Sequence, residues 1–204
     1  RMLDGDLDLV EGGDFFMGFD VAPEQPGTIS IPDFARGPGE QVQVSGAELG
    51  IPVTVTSARD FTRVGFNLAY DPALLNITDF LVGPGNPDEI EVLHEVFEDG
   101  RVEIGLQSNT VFSAGSHVVG YLTANVPAAA APHTSHVLEF EAAAVQADGR
   151  MIELLLDHGI HSTSYLGDFN GDGYYGTYDA ASILGVVVGR DTGAPADLLT
   201  DPLI

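Results

Sequence analysis

Asp168, Asn170, Asp172 and Asp179 lie in one short stretch with glycines between them, and their spacing suits a hard cation. Calcium takes six to eight oxygen ligands, and a twelve-residue loop supplies them from positions 1, 3, 5, 7 and 12, with position 9 often acting through water. In residues 168–179 those positions hold Asp168, Asn170, Asp172, the Tyr174 carbonyl and Asp179, with Gly176 at the water-mediated place. Gly173 stands sixth, where the chain must turn sharply and glycine tolerates the backbone best. The loop ends in Asp where Glu is usual, so the last carboxylate must sit closer to the ion. A solvated Asp/Asn/Gly turn is the competing reading. The register of the carboxylates, and the apolar run from Ala180 to Val188 that reads as a short helix, favour calcium. That helix has an apolar side of Ile183, Leu184, Val187 and Val188, which is expected to pack on the rest of the chain or on another chain.

The elements that must carry this loop are strands. Between about Thr28 and Ser162 the hydrophobic period is two, and turn residues recur at short spacing, which marks an antiparallel all-β domain. Val64, Phe66, Leu68 and Tyr70 alternate with Gly65, Asn67 and Ala69, so one face of that strand is apolar and the other small or polar. It follows residues 51–56 across a short connection. Ile90, Val92 and Val96 lead into Asp99-Gly100, and Val102, Ile104 and Leu106 return, so a tight hairpin is expected there. A second hairpin turns at Asp148-Gly149, from residues 137–140 into 151–154, and residues 118–126 form a further strand. Seven to nine strands in two packed sheets are expected. Pro127 opens an alanine run to Pro132 that reads as a loop.

Composition narrows the function. The chain has 204 residues, no cysteine and no lysine; seven arginines face 31 acidic residues, for a net charge of −24. Nucleic acid and anionic membrane surfaces both demand a basic patch, so neither is expected as a partner. The balance suits solubility, cation binding or a saline habitat. No apolar run approaches the eighteen residues of a membrane span. The start at Arg1 carries no signal-peptide pattern and reads as a cut from a longer protein. Asp4, Asp6 and Asp8 alternate as a second cation site would, but Leu9 stands where the loop glycine belongs, and an acidic lead or edge strand is the preferred reading.

Two resemblances follow from these residues. Residues 167–173, Thr177 to Ala181 and the apolar run 183–188 resemble one repeat of a dockerin, a pair of calcium loop-helix units in which Asp at the twelfth position is habitual. The chain stops at Ile204, about where a second repeat would begin, so the segment resembles half a dockerin. The resemblance implies partner contacts at Thr177 and Tyr178. Tyr70-Asp71-Pro72, followed closely by Leu74 and Leu75, together with the turn from Gly37 to Val42, resembles cohesin modules. These are jelly-roll β-sandwiches that bind dockerins.

No Gly-x-Ser-x-Gly elbow, zinc-protease helix or phosphate loop is present. The pairs His133/His136 and His158/His161 have a spacing that suits a metal on a helix, but in strands odd spacing sends side chains to opposite faces, so they read as surface histidines. Glu91, Glu95, Glu98 and Glu103 are numerous enough for some to be neighbours, and a charged solvent face is the default.

The expected organisation is an acidic lead or linker over 1–27, a cohesin-like all-β sandwich over 28–163 and a truncated dockerin-like calcium segment over 164–204. The expected function is a non-enzymatic, extracellular or cell-surface adhesion or scaffold module. Its partner would bear a dockerin or cohesin, another copy of the chain included. The alternative is a carbohydrate-binding module of a large secreted enzyme, which would show a strip of exposed aromatics and bind polysaccharide. The absence of tryptophan weighs against it. A noncatalytic part of a protease or glycosidase is a third possibility.

Overall fold

The computed structural model describes residues 27–44, 50–87, 89–165, 167–168, 172, 174 and 176–188. In chain order the strands are β1 (Thr28–Ser30), β2 (Phe34–Arg36), β3 (Ile51–Ser57), β4 (Phe61–Ala69), β5 (Asn76–Val82), β6 (Ile90–Phe97), β7 (Arg101–Phe112), β8 (Gly115–Asn125), β9 (Thr134–Ala147), β10 (Arg150–Glu153), β11 (Leu155–Asp157) and β12 (Gly159–Thr163). One helix follows, α1 (Thr177–Val187). Two sheets face each other: a five-stranded sheet ordered β11-β1-β3-β8-β5, and a seven-stranded sheet ordered β2-β12-β9-β4-β7-β6 with β10 added on β9. This is the expected all-β sandwich, with more strands than the seven to nine anticipated. The surplus comes from two stretches that change sheets midway. β1 and β2 are parted at Pro32, and the run from Arg150 to Thr163 breaks at the buried Leu154 and again at His158.

Period-two burial builds the core. Val64, Phe66 and Leu68 of β4, and Val102, Ile104 and Leu106 of β7, all point inward and are buried. Phe66 meets Phe80 of the opposite sheet edge to face at 6.2 Å and Phe140 of β9 at 5.7 Å. At the end of the same sheet, Phe61 and Phe112 stack with their rings nearly parallel at 4.7 Å. Each such side chain taken out of water contributes about 1.5–3 kcal/mol.

The turns explain which strands meet. Asp148 and Gly149 both have positive φ, 51° and 73°, and join β9 to β10 as a two-residue hairpin with the right twist. Its partner is the far end of β9, Ala144 to Ala147, rather than residues 137–140, because β9 is fourteen residues long. At Asp99-Gly100 only the glycine is left-handed (φ 84°), and the loop between Phe97 and Arg101 has three residues. The Gly100 carbonyl accepts from the Tyr70 amide (2.8 Å), and a Cβ on Gly100 would strike the Tyr70 carbonyl. Thus the Tyr70-Asp71-Pro72 turn and this hairpin, read separately in the sequence, clamp each other. Asp71 closes the turn by accepting the Ala73 amide on Oδ1 (2.9 Å). Residues 51–57 and β4 are consecutive but do not pair, since each belongs to a different sheet.

Two expectations need correction. His161 is fully buried, and His136 is half-buried beside it, because both fall on inward positions of β12 and β9. Their register partnership across two strands outweighs the spacing argument, which considered each stretch of chain alone. The helix begins at Thr177 rather than Ala180, since Gly176 takes the N-cap place, its carbonyl accepting from the Ala180 amide at 3.2 Å. Asp4, Asp6, Asp8 and the chain beyond Val188 lie outside the described residues.

Gly120 of β8 shows how tightly the five-stranded sheet is made, for a Cβ there would fall inside the Phe80 ring and 2.7 Å from the Leu81 carbonyl. Gly120→Ala is expected to cost about 1–3 kcal/mol, read as a lower urea midpoint at unchanged m-value.

Candidate functional site

Two regions present side chains that the fold itself does not consume. The first is the C-terminal loop-helix. The chain leaves β12 with the Ser164 amide donating to the Arg36 carbonyl (3.1 Å) and the Tyr165 hydroxyl donating to the Pro38 carbonyl (2.9 Å). The Tyr165 ring lies where a Cβ on Gly37 would be. The Asp168 amide then donates to the Tyr165 carbonyl at 3.0 Å, so the loop starts from a fixed stem.

Within the loop, Asp168 Oδ1 accepts the Asp172 amide (3.3 Å) and Asp172 Oδ1 accepts the Tyr174 amide (2.9 Å). Asp179 is buried, and its Oδ2 reaches back to the Gly176 amide at 2.6 Å. That is the N3-to-N-cap bond of a capping box, with the carboxylate at the positive end of the helix dipole. Asp168, Asp172 and Asp179 all have oxygen chemistry that fits a hard cation; Asp172 and Tyr174 are exposed, and Asn170 lies outside the described residues. Among the described residues no three histidine or carboxylate side chains converge as a metal cluster. Tyr178, Ile183 and Leu184 of α1, and Val188 just after it, are exposed, so the described part of the sandwich does not cover those positions.

The second region is the outward face of the seven-stranded sheet, and strand register orders it into rows. Leu93, Gly105, Gly65, Ala144 and Glu153 lie side by side across β6, β7, β4, β9 and β10. The next row is Glu95, Glu103, Asn67 and Ala142, with Glu141 added where the register shifts. On the other side run Glu91, Gln107, Arg63, Gln146 and Met151, with the Arg63 guanidinium donating to Gln107 Oε1. The small middle row forms the floor of a groove of about 730 Å3. Leu93 stands 69% exposed at its edge.

Glu95 and Glu103 are directly opposed, an arrangement that like charges disfavour, and neither is hydrogen-bonded or ion-paired among the described residues. Gly65 and Gly105 are register partners in the middle of central strands. Nothing among the described residues requires either to be glycine: a Cβ on Gly65 would come no nearer than 3.7 Å to another of their atoms and one on Gly105 no nearer than 3.8 Å, and neither has a left-handed φ. Glycine weakens a strand interior, and it commonly marks a place where another backbone or ligand approaches closely. Sequence reading passed over this face. Its signal was available in the two glycines on the polar side of otherwise alternating strands.

No family model matches the sequence, and no curated protein does. Solved structures match well. The chain is similar to the non-cellulosomal cohesin from the hyperthermophilic archaeon Archaeoglobus fulgidus, with a TM-score of 0.54 and 19% identity over 67% of this chain and 90% of that one. A similar match is to the sixth cohesin of scaffoldin B from Acetivibrio cellulolyticus, solved in complex with a dockerin (TM-score 0.58, 15% identity, 68% of this chain and 99% of that one). A third is the OlpA cohesin of a type I cohesin–dockerin complex from Clostridium thermocellum (TM-score 0.55, 18% identity, 68% and 99%). The fold is therefore the cohesin-type β-sandwich.

If Gly65 serves the face and not the fold, replacing it should help the isolated protein. Gly65→Thr is expected to raise stability by about 0.5–1 kcal/mol in urea denaturation, opposite in sign to Gly120→Ala.

Proposed function

We propose that the chain is a non-enzymatic assembly module whose sandwich docks a dockerin-type partner on the outward face of the seven-stranded sheet, in an extracellular or cell-surface setting. The observation that carries this is the groove floored by Gly65 and Gly105, two glycines that no described residue requires, beneath Glu95 and Glu103, two carboxylates with no partner among the described residues. The similar cohesins named above, two of them solved with dockerins, support the class of partner.

Charge indicates which dockerin fits. An acidic wall favours an element bearing Arg or Lys, and opposite charges across an interface raise the association rate and reject wrong partners. The chain's own α1 contains neither, its one charged residue being Asp179. A different protein therefore suits the groove better than a second copy. A polysaccharide would ask for a strip of aromatic rings, whereas the rows of this face carry only Phe97, at the edge beside Arg101.

The C-terminal loop-helix is proposed to bind one calcium ion through Asp168, Asn170, Asp172, the Tyr174 carbonyl and Asp179. When bound, the ion would supply the positive charge around which these carboxylates fold, and the Gly176–Asp179 bond holds the last of them at the helix start.

Titration calorimetry of the whole chain with dockerins taken from the Clostridium and Acetivibrio complexes tests the docking reading. Binding is expected with at least one, weakening with salt, and Gly65→Thr and Gly105→Thr should each lower affinity about tenfold or more while leaving the fold intact, since a fully excluded contact is worth over 1.4 kcal/mol. Binding of polysaccharide and of no dockerin would overturn it. A separate titration with calcium should show one site in the parent, lost in Asp172→Ala and poorly filled by magnesium. Unchanged calcium affinity in that variant would remove the site.

A further inference from the structure

His136 and His161 form a pair that neither proposed site uses. They are register partners on β9 and β12, their rings meet edge to face at 5.2 Å, and Phe34 of β2 stacks on His161 at 4.8 Å. Both nitrogens of both rings are shielded from water and none makes a hydrogen bond of good geometry among the described residues, and the neighbouring Thr163 Oγ1 is in the same condition. An imidazolium carries two N–H donors that both need acceptors, and burial without them costs more for the charged form than for the neutral one. The closed corner thus holds two neutral rings. Burial keeps His161 down at about 4, helped by repulsion from His136 and, less, from the Arg36 guanidinium, and opposed by the Arg36 backbone, whose hydrogen bond favours the charged ring. Burial also lowers His136, with Asp71 pulling the other way.

The corner is also the edge of its sheet. Among the described residues β2, three residues long, pairs only with β12, in parallel, and β12 itself has five. Directly beyond β12 come Ser164 and Tyr165, whose contacts with Arg36 and Pro38 anchor the stem of the C-terminal loop. We infer that the His136–His161 pair is an acid-sensitive latch: protonation parts β12 from β2 and β9 and releases the stem that holds the loop-helix to the sandwich.

The sign follows from linkage. In the open corner each histidine returns to its ordinary value near 6.5 and takes up a proton that the closed corner refuses. The latch is at full strength above about pH 6.5, weakens as pH falls toward 4, and weakens no further below that. For His161 alone, a fall to pH 5 favours opening by roughly thirty-fold. Acid acts on the rest of the chain in the opposite sense, since protonating carboxylates relieves repulsion in a molecule of charge −24.

Amide hydrogen exchange on the whole chain at pH 7.5 and pH 5, corrected for intrinsic rates, tests this. Protection at β12 and at the Ser164 amide should fall about tenfold or more at pH 5, while β4 and β7 hold. His161→Phe, which keeps an aromatic ring against Phe34, should remove most of the change, His136→Phe should reduce it, and the double variant should abolish it; His133→Asn, at an exposed left-handed position, should leave it intact. Equal protection at both pH values, loss spread over the whole sandwich, or loss that persists in the double variant would each overturn the latch.

Discussion

The outward face of the seven-stranded sheet is positioned by the alternation of β4. Once Val64, Phe66 and Leu68 are buried against the opposite sheet, Gly65 and Asn67 have no choice but to face outward, because a slip of one residue would exchange the two sets entirely. β4 pairs with β7 on one side and β9 on the other, so its register propagates to both. The outward rows are thus a consequence of hydrophobic burial on the inner face. A docking surface made this way needs no loop to order it. That suits rigid recognition, in which little ordering entropy is lost on binding.

The same constraint explains what was legible in the sequence. Alternating strands, the left-handed Asp148-Gly149 turn and the Asp71 turn are local signals, and each corresponds to a local feature of the fold. What stayed hidden was contact between distant segments. Nothing near His136 announces His161, which is 25 positions later and opposite it in the sheet, so the pair looked like surface residues. The separation of β3 from β4 into different sheets is another such case, since a short connection suits a hairpin as readily as a crossing between layers. The groove floor needed two registers before Gly65, Gly105 and Ala144 came into one line.

The proposed calcium loop is legible for a different reason. Its candidate ligands are spaced along one short segment, so chemistry can be read without knowing the fold. The structure adds the stem at Tyr165 and the cap at Asp179, which tie the loop to the sandwich on one side and to α1 on the other. Asp179 serves both halves: its carboxylate closes the helix start and stands last in the ligand order. The acidic character of the chain has two uses under this account, filling a cation loop and lining a groove.

The central claim is that the partner lies along the row of small residues on the seven-stranded sheet. Backbone amide shifts of the whole 15N-labelled chain, followed while a binding dockerin is added, test it most directly. The account predicts that the largest changes fall on Leu93, Gly105, Gly65, Ala144 and the adjoining Glu95 and Glu103. Changes confined to the five-stranded sheet, or to the loop-helix alone, would contradict it.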